Sequence, residues 1–158
     1  MNILGRLFRR ERAPQHDTSA YGPLYAALKA ALVREGVTVG GTAGYPRIEI
    51  HSFTEGERQD KDGRLRQVTC TVECMSNRSV GDCVSMNEAN LRLLTGSALT
   101  IEGWDVLGVV PGLLQDLTES SDPQKIIYRL LQEFVIWIEQ GPVTEPAQSN
   151  DNQESTTN

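Results

Sequence analysis

Cysteine, histidine and long apolar runs are all scarce in this chain of 158 residues. Its three cysteines, Cys70, Cys74 and Cys83, are odd in number and too few for a disulfide framework. Free thiols and a reducing compartment are therefore expected. Nowhere do apolar residues continue for the roughly 18 that a membrane span requires, so no membrane segment is expected. The first twelve residues carry Arg6, Arg9, Arg10 and Arg12 with no apolar stretch behind them, which argues against a secretory leader. An excess of basic charge is missing too. The net charge is −6, and an acidic body argues against a dedicated nucleic-acid reader, whose footprint is a basic face. It does not exclude a surface past which DNA slides, because like charge keeps DNA from sticking.

What is present fits one soluble domain with polar ends. The apolar fraction of 39% and charged fraction of 23% lie in the globular range, and the length is sufficient for a single core. The charge is unevenly spread. Residues 1–12 set four arginines against Glu11, while residues 141–158 carry only Glu145, Asp151 and Glu154. The expected organisation is a flexible basic arm over 1–18, one domain over 19–140 and a disordered polar tail over 141–158. If 2–10 is helical, Ile3, Leu4, Leu7 and Phe8 share a face. That leaves two readings of the arm, a frayed terminus or a segment that docks on a neighbouring subunit.

Periodicity places the elements. Ser19 as a cap, Pro23 in the first turn and the stripe Leu24, Leu28, Ala31 and Leu32 predict a helix stopped by Gly36. The glycine-rich stretch 39–44 lacks the Gly-Lys-Ser/Thr ending of a phosphate loop and reads as a turn into a strand. Ile48 and Ile50 alternate with Arg47, Glu49 and His51. Val68, Cys70, Val72 and Cys74 alternate with Thr69, Thr71 and Glu73. Between them Thr54 to Arg66 is densely charged, so this β-hairpin should push a long loop into solvent or against a charged partner. Ser79 caps a second predicted helix with an imperfect face of Val80, Cys83, Val84, Leu91 and Leu94, ended by Gly96. Trp104 to Leu117 is strand-like, and Pro111-Gly112 suggests a bulge or edge position. The segment 124–139 satisfies helical and strand periodicity equally well.

No catalytic constellation emerges from these placements. Cys70 and Cys74 on one strand would sit about 13 Å apart by strand rise, too far for one zinc, so buried thiols are expected and no metal. His51 is predicted to face away from the cysteines, and His16 lies in the arm, so no thiol has a paired base. Glu55, Glu57, Asp60 and Asp62 sit in a loop without the fixed geometry of acid/base pairs. Trp104 and Trp137 are expected as core or interface anchors. An adaptor or assembly domain is favoured over an enzyme, and no cofactor is expected.

The order helix, strand, charged loop, strand, helix, strand, long last segment resembles the tail-completion or tail-terminator proteins of long-tailed bacteriophages and prophages. The resemblance runs from about Leu24 to Glu139. It is carried by 24–32, by Tyr45 to Ile50, by Val68 to Ser76 and by Tyr128 to Glu139. It implies an α+β fold, an antiparallel sheet of about four strands with two helices on one face in the order α-β-β-α-β-β, and a final segment that is a strand. It also implies a virion tail protein, assembled in the host cytoplasm, that forms a ring, usually a hexamer. The ring would cap the tail tube, meet the head-side connector and let DNA pass through its lumen without specific binding. Partner contacts are expected from the mixed-charge loop, at Glu57, Arg58, Lys61, Arg64 and Arg66. A monomeric adaptor or inhibitor of a soluble host protein is the competing reading.

Overall fold

Leucines four residues apart put one apolar edge on the first helix, and the fold is built from that edge outward. The computed structural model describes residues 19–41, 44–56, 63–96, 99–120, 122 and 124–141. Its elements are α1 (Tyr21–Leu32), β1 (Thr38–Val39), β2 (Arg47–Glu55), β3 (Leu65–Ser76), α2 (Val80–Gly96), β4 (Trp104–Asp116) and β5 (Tyr128–Gln140). Leu24, Leu28 and Leu32 of α1 are fully buried. Ser19 Oγ accepts from the Tyr21 amide at 3.4 Å, and the turn after the helix uses Gly36 at φ +77°, a conformation open to glycine at little cost.

The sheet has five strands in the order β1-β2-β3-β5-β4. Four are antiparallel, as the resemblance implied. The fifth is the two-residue β1, which runs parallel to the start of β2 and pairs only with Arg47 and Ile48. It is too short to leave a periodic signature. β5 is an interior strand, paired with β3 over Tyr128–Glu139 and with β4 over Leu130–Gln140. This resolves the ambiguity over 124–139: Leu130, Gln132, Phe134, Ile136 and Ile138 are buried in strict alternation. A helix would have spread those side chains around its circumference, whereas a strand between two others can bury every second one.

Both helices pack on the same face of the sheet, over Ile48, Val68, Cys70, Val72, Cys74, Phe134, Ile136 and Ile138. Ser79 caps α2 as expected, its Oγ accepting from the Asp82 amide at 3.2 Å. The buried face of α2 differs from the expected one. Val80 and Val84 are exposed, and the inward row is Cys83, Met86, Asn87, Asn90 and Leu94. Hydrophobicity misled because two asparagines are buried on hydrogen bonds. Asn90 accepts from Arg34 Nη1 at 2.8 Å and donates to Cys74 Sγ at 3.3 Å, which ties the end of α1 to α2 and to β3. Asn87 donates to Gln132 Oε1 at 3.4 Å. Buried amides are tolerated only with such partners.

β4 is an edge strand with register shifts at Val106/Gly108 and at Pro111/Leu114. Pro111-Gly112 therefore marks a bulge on an edge, as expected. The arm over 1–18 and the tail beyond Gly141 lie outside the described residues. Gly141 itself still donates its amide to the Gly103 carbonyl at 3.3 Å.

Candidate functional site

The face of the sheet opposite the helices carries the polar side chains. At one end of it Arg47, Glu49 and His51 of β2 project beside Glu73 of β3 and Arg129 of β5. Each carboxylate there is held twice. Glu49 takes Arg47 Nη2 at 3.0 Å through one oxygen and approaches His51 Nε2 at 3.5 Å through the other. Glu73, almost fully buried, takes Arg129 Nε on one oxygen and His51 Nε2 at 2.8 Å on the other. The hydrogen bond to Glu73 raises the Arg129 pKa further. Tyr45, Glu119 and Lys125 complete the rim of a shallow cleft over this cluster, and Arg47 stacks on the Tyr45 ring with 4.9 Å between Cζ and the ring centre.

Glu49, His51 and Glu73 bring one ligand atom each to within 4.8 Å of one another. That is a possible metal-binding triad, and it involves His51 with carboxylates where thiols had been considered. The electrostatics do not favour a cation. Two guanidiniums already balance the two carboxylates, so no surplus negative charge awaits a divalent ion. The arrangement is a closed ion-pair network that fixes three strands against one another.

The cysteines are buried and free, on the helix side of the sheet. Burial pushes the thiols of Cys70 and Cys74 up to about 12 and that of Cys83 to about 11. Cys83 Sγ lies 3.3 Å from the Tyr128 carbonyl oxygen. Neutral, enclosed thiols of this kind are poor nucleophiles.

Of the expected partner-contact residues, Glu57, Arg58 and Lys61 lie outside the described residues. Arg64 is exposed at the foot of the hairpin and donates from Nη2 to the Gln140 carbonyl at 2.9 Å. Arg66 corrects the expectation that the whole charged segment stands in solvent. It belongs to β3, is buried on the helix side, and lies over Trp104 with 4.8 Å between Cζ and the ring centre. Its Nε approaches Glu55 Oε1 at 3.5 Å. The planar guanidinium explains this, since it can cover an indole face while holding a carboxylate at its edge. Strand parity contained the signal: Arg66 has the same parity as Val68 and Cys70.

With the geometry in place, comparison with known proteins bears on the fold. No protein-family model and no curated protein matches the chain. A solved chain does, in a structure described as "Virion of native gene transfer agent (GTA) particle". The TM-score is 0.57 at 17% sequence identity, over 77% of this chain and 92% of that chain. What the two share is the fold. The coverage spans nearly all of the virion chain, so its whole domain is matched rather than a common substructure.

A second surface was not anticipated. β4 leaves Leu107, Val110, Leu113 and Leu114 exposed at 57%, 54%, 59% and 51%. These four apolar residues lie within eight along a bulged sheet edge, with Val110 on the face of Val135 and Leu114 on the face of Gln132, so they are spread over both faces of the edge. Pattern reading marked this segment as an edge but could not tell which of its apolar residues stay uncovered.

Proposed function

We propose that this chain is a structural virion protein that closes into a ring on the end of a phage-type tail tube. The ring ends tube growth and forms the joint to the head-side connector. The observation that carries this reading is the fold shared with nearly the whole length of a chain from a gene transfer agent virion. The sequence resemblance to tail terminators points to the same place independently, and it supplies the hexamer and the tail position.

The physical character of the chain agrees with that role. Its buried groups are spent on holding the fold. The thiols are neutral, Arg66 is stacked, and the charges of the Glu49–Glu73 network are balanced, so no described cluster is poised for catalysis. An acidic body would let DNA pass a lumen without adhering. The hairpin loop over 57–62, with Glu57, Arg58, Lys61 and the neighbouring Arg64, is the proposed contact to the tube or the connector. Its mixed charge would set orientation more than affinity.

Light scattering on the purified protein across a concentration series tests this. A discrete ring mass near six times 17.5 kDa, together with arrest of purified tail tubes, is the expected result. A monomer that also leaves tubes uncapped would overturn the reading and favour an adaptor for a soluble host protein.

A further inference from the structure

We infer that residues 1–18 of one copy dock on the open face of the sheet of the next copy, over Val135 and Trp137 of β5. The exchange between copies rests on the ring reading above. Three observations lead there. The first is the character of that face. Both helices pack on the other side, and no described element covers this one. The open face of an antiparallel sheet is ordinarily polar. Here strand parity puts Leu131, Val135 and Trp137 on it, each only partly buried. Val110 of β4 stands opposite Val135 on the same face and is 54% exposed. Gly108 stands opposite Trp137, so its β4 partner offers no side chain to shield the indole.

The second is charge, counted over every strand of that face. At one end Arg47 and Arg129 offset Glu49 and Glu73, with His51 between the carboxylates, and Glu119 and Lys125 share the rim. Around the apolar strip stand Glu133 and Glu139 of β5 and Asp105 of β4, with Glu102 in the adjoining turn. Against them is Arg64, which donates to the Gln140 carbonyl. Glu55 and Arg66 at that end face the helices and pair there. Asp105 and Glu139 are direct cross-strand partners, and like charges so placed weaken a sheet unless a cation joins them. The strip is apolar with an acidic border.

The third is that the arm is its complement. Residues 1–18 set Arg6, Arg9, Arg10 and Arg12 against Glu11 and Asp17. On a helix Ile3, Leu4, Leu7 and Phe8 share one side. They span about 8 Å of helix axis, close to the roughly 7 Å from Val135 to Trp137 along the strand.

The point where the chain enters the fold selects whose arm docks. Ala20 is buried and Tyr21 stacks on Phe53 at 5.8 Å, at the β2 edge and on the helix side. To reach its own strip an arm would round that edge and cross β2 and β3, with 9–18 stretched toward a limit of about 35 Å. An arm leaving the β2 end of one copy for the β4–β5 end of the next makes a heterologous contact, whose repetition closes a ring.

Two experiments test this on the full chain. The arm has no tryptophan, so Trp104 and Trp137 are the reporters. A synthetic peptide of residues 1–18 is titrated into a chain carrying Leu7→Asp and Phe8→Asp, whose own arm lacks the apolar side. Emission should shift to shorter wavelength as Trp137 is covered, and the same chain with Trp137→Phe should show no shift. Adding Asp105→Asn with Glu139→Gln should weaken the peptide by about 10-fold, the scale of two surface ion pairs. No shift at millimolar peptide, an equal shift with Trp137→Phe, or unchanged affinity without the two acids overturns the inference.

The second experiment mixes chains carrying only Leu7→Cys with chains carrying only Val135→Cys. The native thiols are buried, so the introduced cysteines report alone. Mild oxidation should give the mixed disulfide in excess over either homodimer. In a chain carrying both changes, a purely intramolecular disulfide would mean that each arm folds onto its own sheet, and would overturn the exchange. A ring of the expected mass in which the mixed disulfide fails to form overturns the inference and leaves the ring reading intact. A wild type that stays monomeric at all concentrations and on tubes overturns both.

Discussion

Glu49 of β2 and Glu73 of β3 stand directly opposite each other across the strand pair. Like charges in that position repel and would weaken the sheet. The surroundings reverse the effect. Arg47 lies two residues before Glu49, Arg129 reaches Glu73 from β5, and His51 closes the gap between the two carboxylates. Strand register creates the conflict, and strand register also supplies its solution.

Removing the half-exposed cation should therefore cost more than removing the buried carboxylate. Arg129→Ala is expected to destabilise the fold by about 2–3 kcal/mol, because it leaves the almost fully buried Glu73 carboxylate without its guanidinium. Glu73→Ala, which leaves Arg129 and His51 at sites open to water, should cost about 1 kcal/mol. Urea denaturation of both single variants and the double variant gives the coupling. Additive costs within about 0.3 kcal/mol would show that the pair does not act as a unit.

Arg66 and Trp104 give a second prediction. Arg66→Lys should cost about 1 kcal/mol despite keeping the charge, since an ammonium cannot lie flat on the indole and reach Glu55 at once. Arg66→Ala should cost about 2 kcal/mol and shift tryptophan emission to longer wavelength as Trp104 becomes wetted. Unchanged emission would mean that the indole is shielded by other groups.

The thiols set a pH dependence. Burial raises all three pKa values, so the folded state favours the protonated form. The unfolded chain loses these protons first, near its ordinary pKa of about 9. This stabilisation is present in full below that pH and is lost as pH rises toward 11 to 12. Each thiol should contribute a slope of up to about 1.4 kcal/mol per pH unit in that window. Denaturation at pH 8 and pH 10 should show a steeper alkaline loss in the wild type than in Cys70→Ala. Below pH 8 native protein should resist a thiol-specific reagent that labels three cysteines per chain after unfolding.

The bulge on β4 depends on one side chain. Gln132→Leu keeps volume but leaves the Gly112 and Leu113 carbonyls without their donor, and it strips Asn87 of a partner. The expected cost is about 2 kcal/mol. Hydrogen exchange should rise locally at 112–116, ahead of any change in β3. Uniform loosening of the sheet would instead assign Gln132 a general packing role.

The proposed loop contact predicts the opposite pattern. Reversing charge with Arg58→Glu and Lys61→Glu should leave stability within about 0.5 kcal/mol of the wild type, the outcome expected if these residues serve contact rather than folding. The same change should abolish tube capping. Capping at wild-type levels would remove the loop from the contact.

Much of this fold was legible because periodicity is local. The leucine stripe of α1, the alternation of β2 and β3, the Ser79 cap and the broken edge at Pro111-Gly112 each follow from residues within one or two turns of each other. The segment 128–140 was not decided that way. Its residues suit either a helix or a strand, and only pairing with β3 on one side and β4 on the other selects the strand. The same limit hid the inward asparagines of α2, whose partners Arg34 and Gln132 lie 56 and 45 residues away. It hid the meeting of Glu49, His51, Glu73 and Arg129, and it hid Arg66 beneath the helices on Trp104. The amino-acid sequence by itself determined α1, β2 and β3 and the apolar face of each, because those depend on neighbours along the chain. Tertiary structure alone decided which charges neutralise one another and which apolar residues remain bare, because both depend on register between strands distant in sequence.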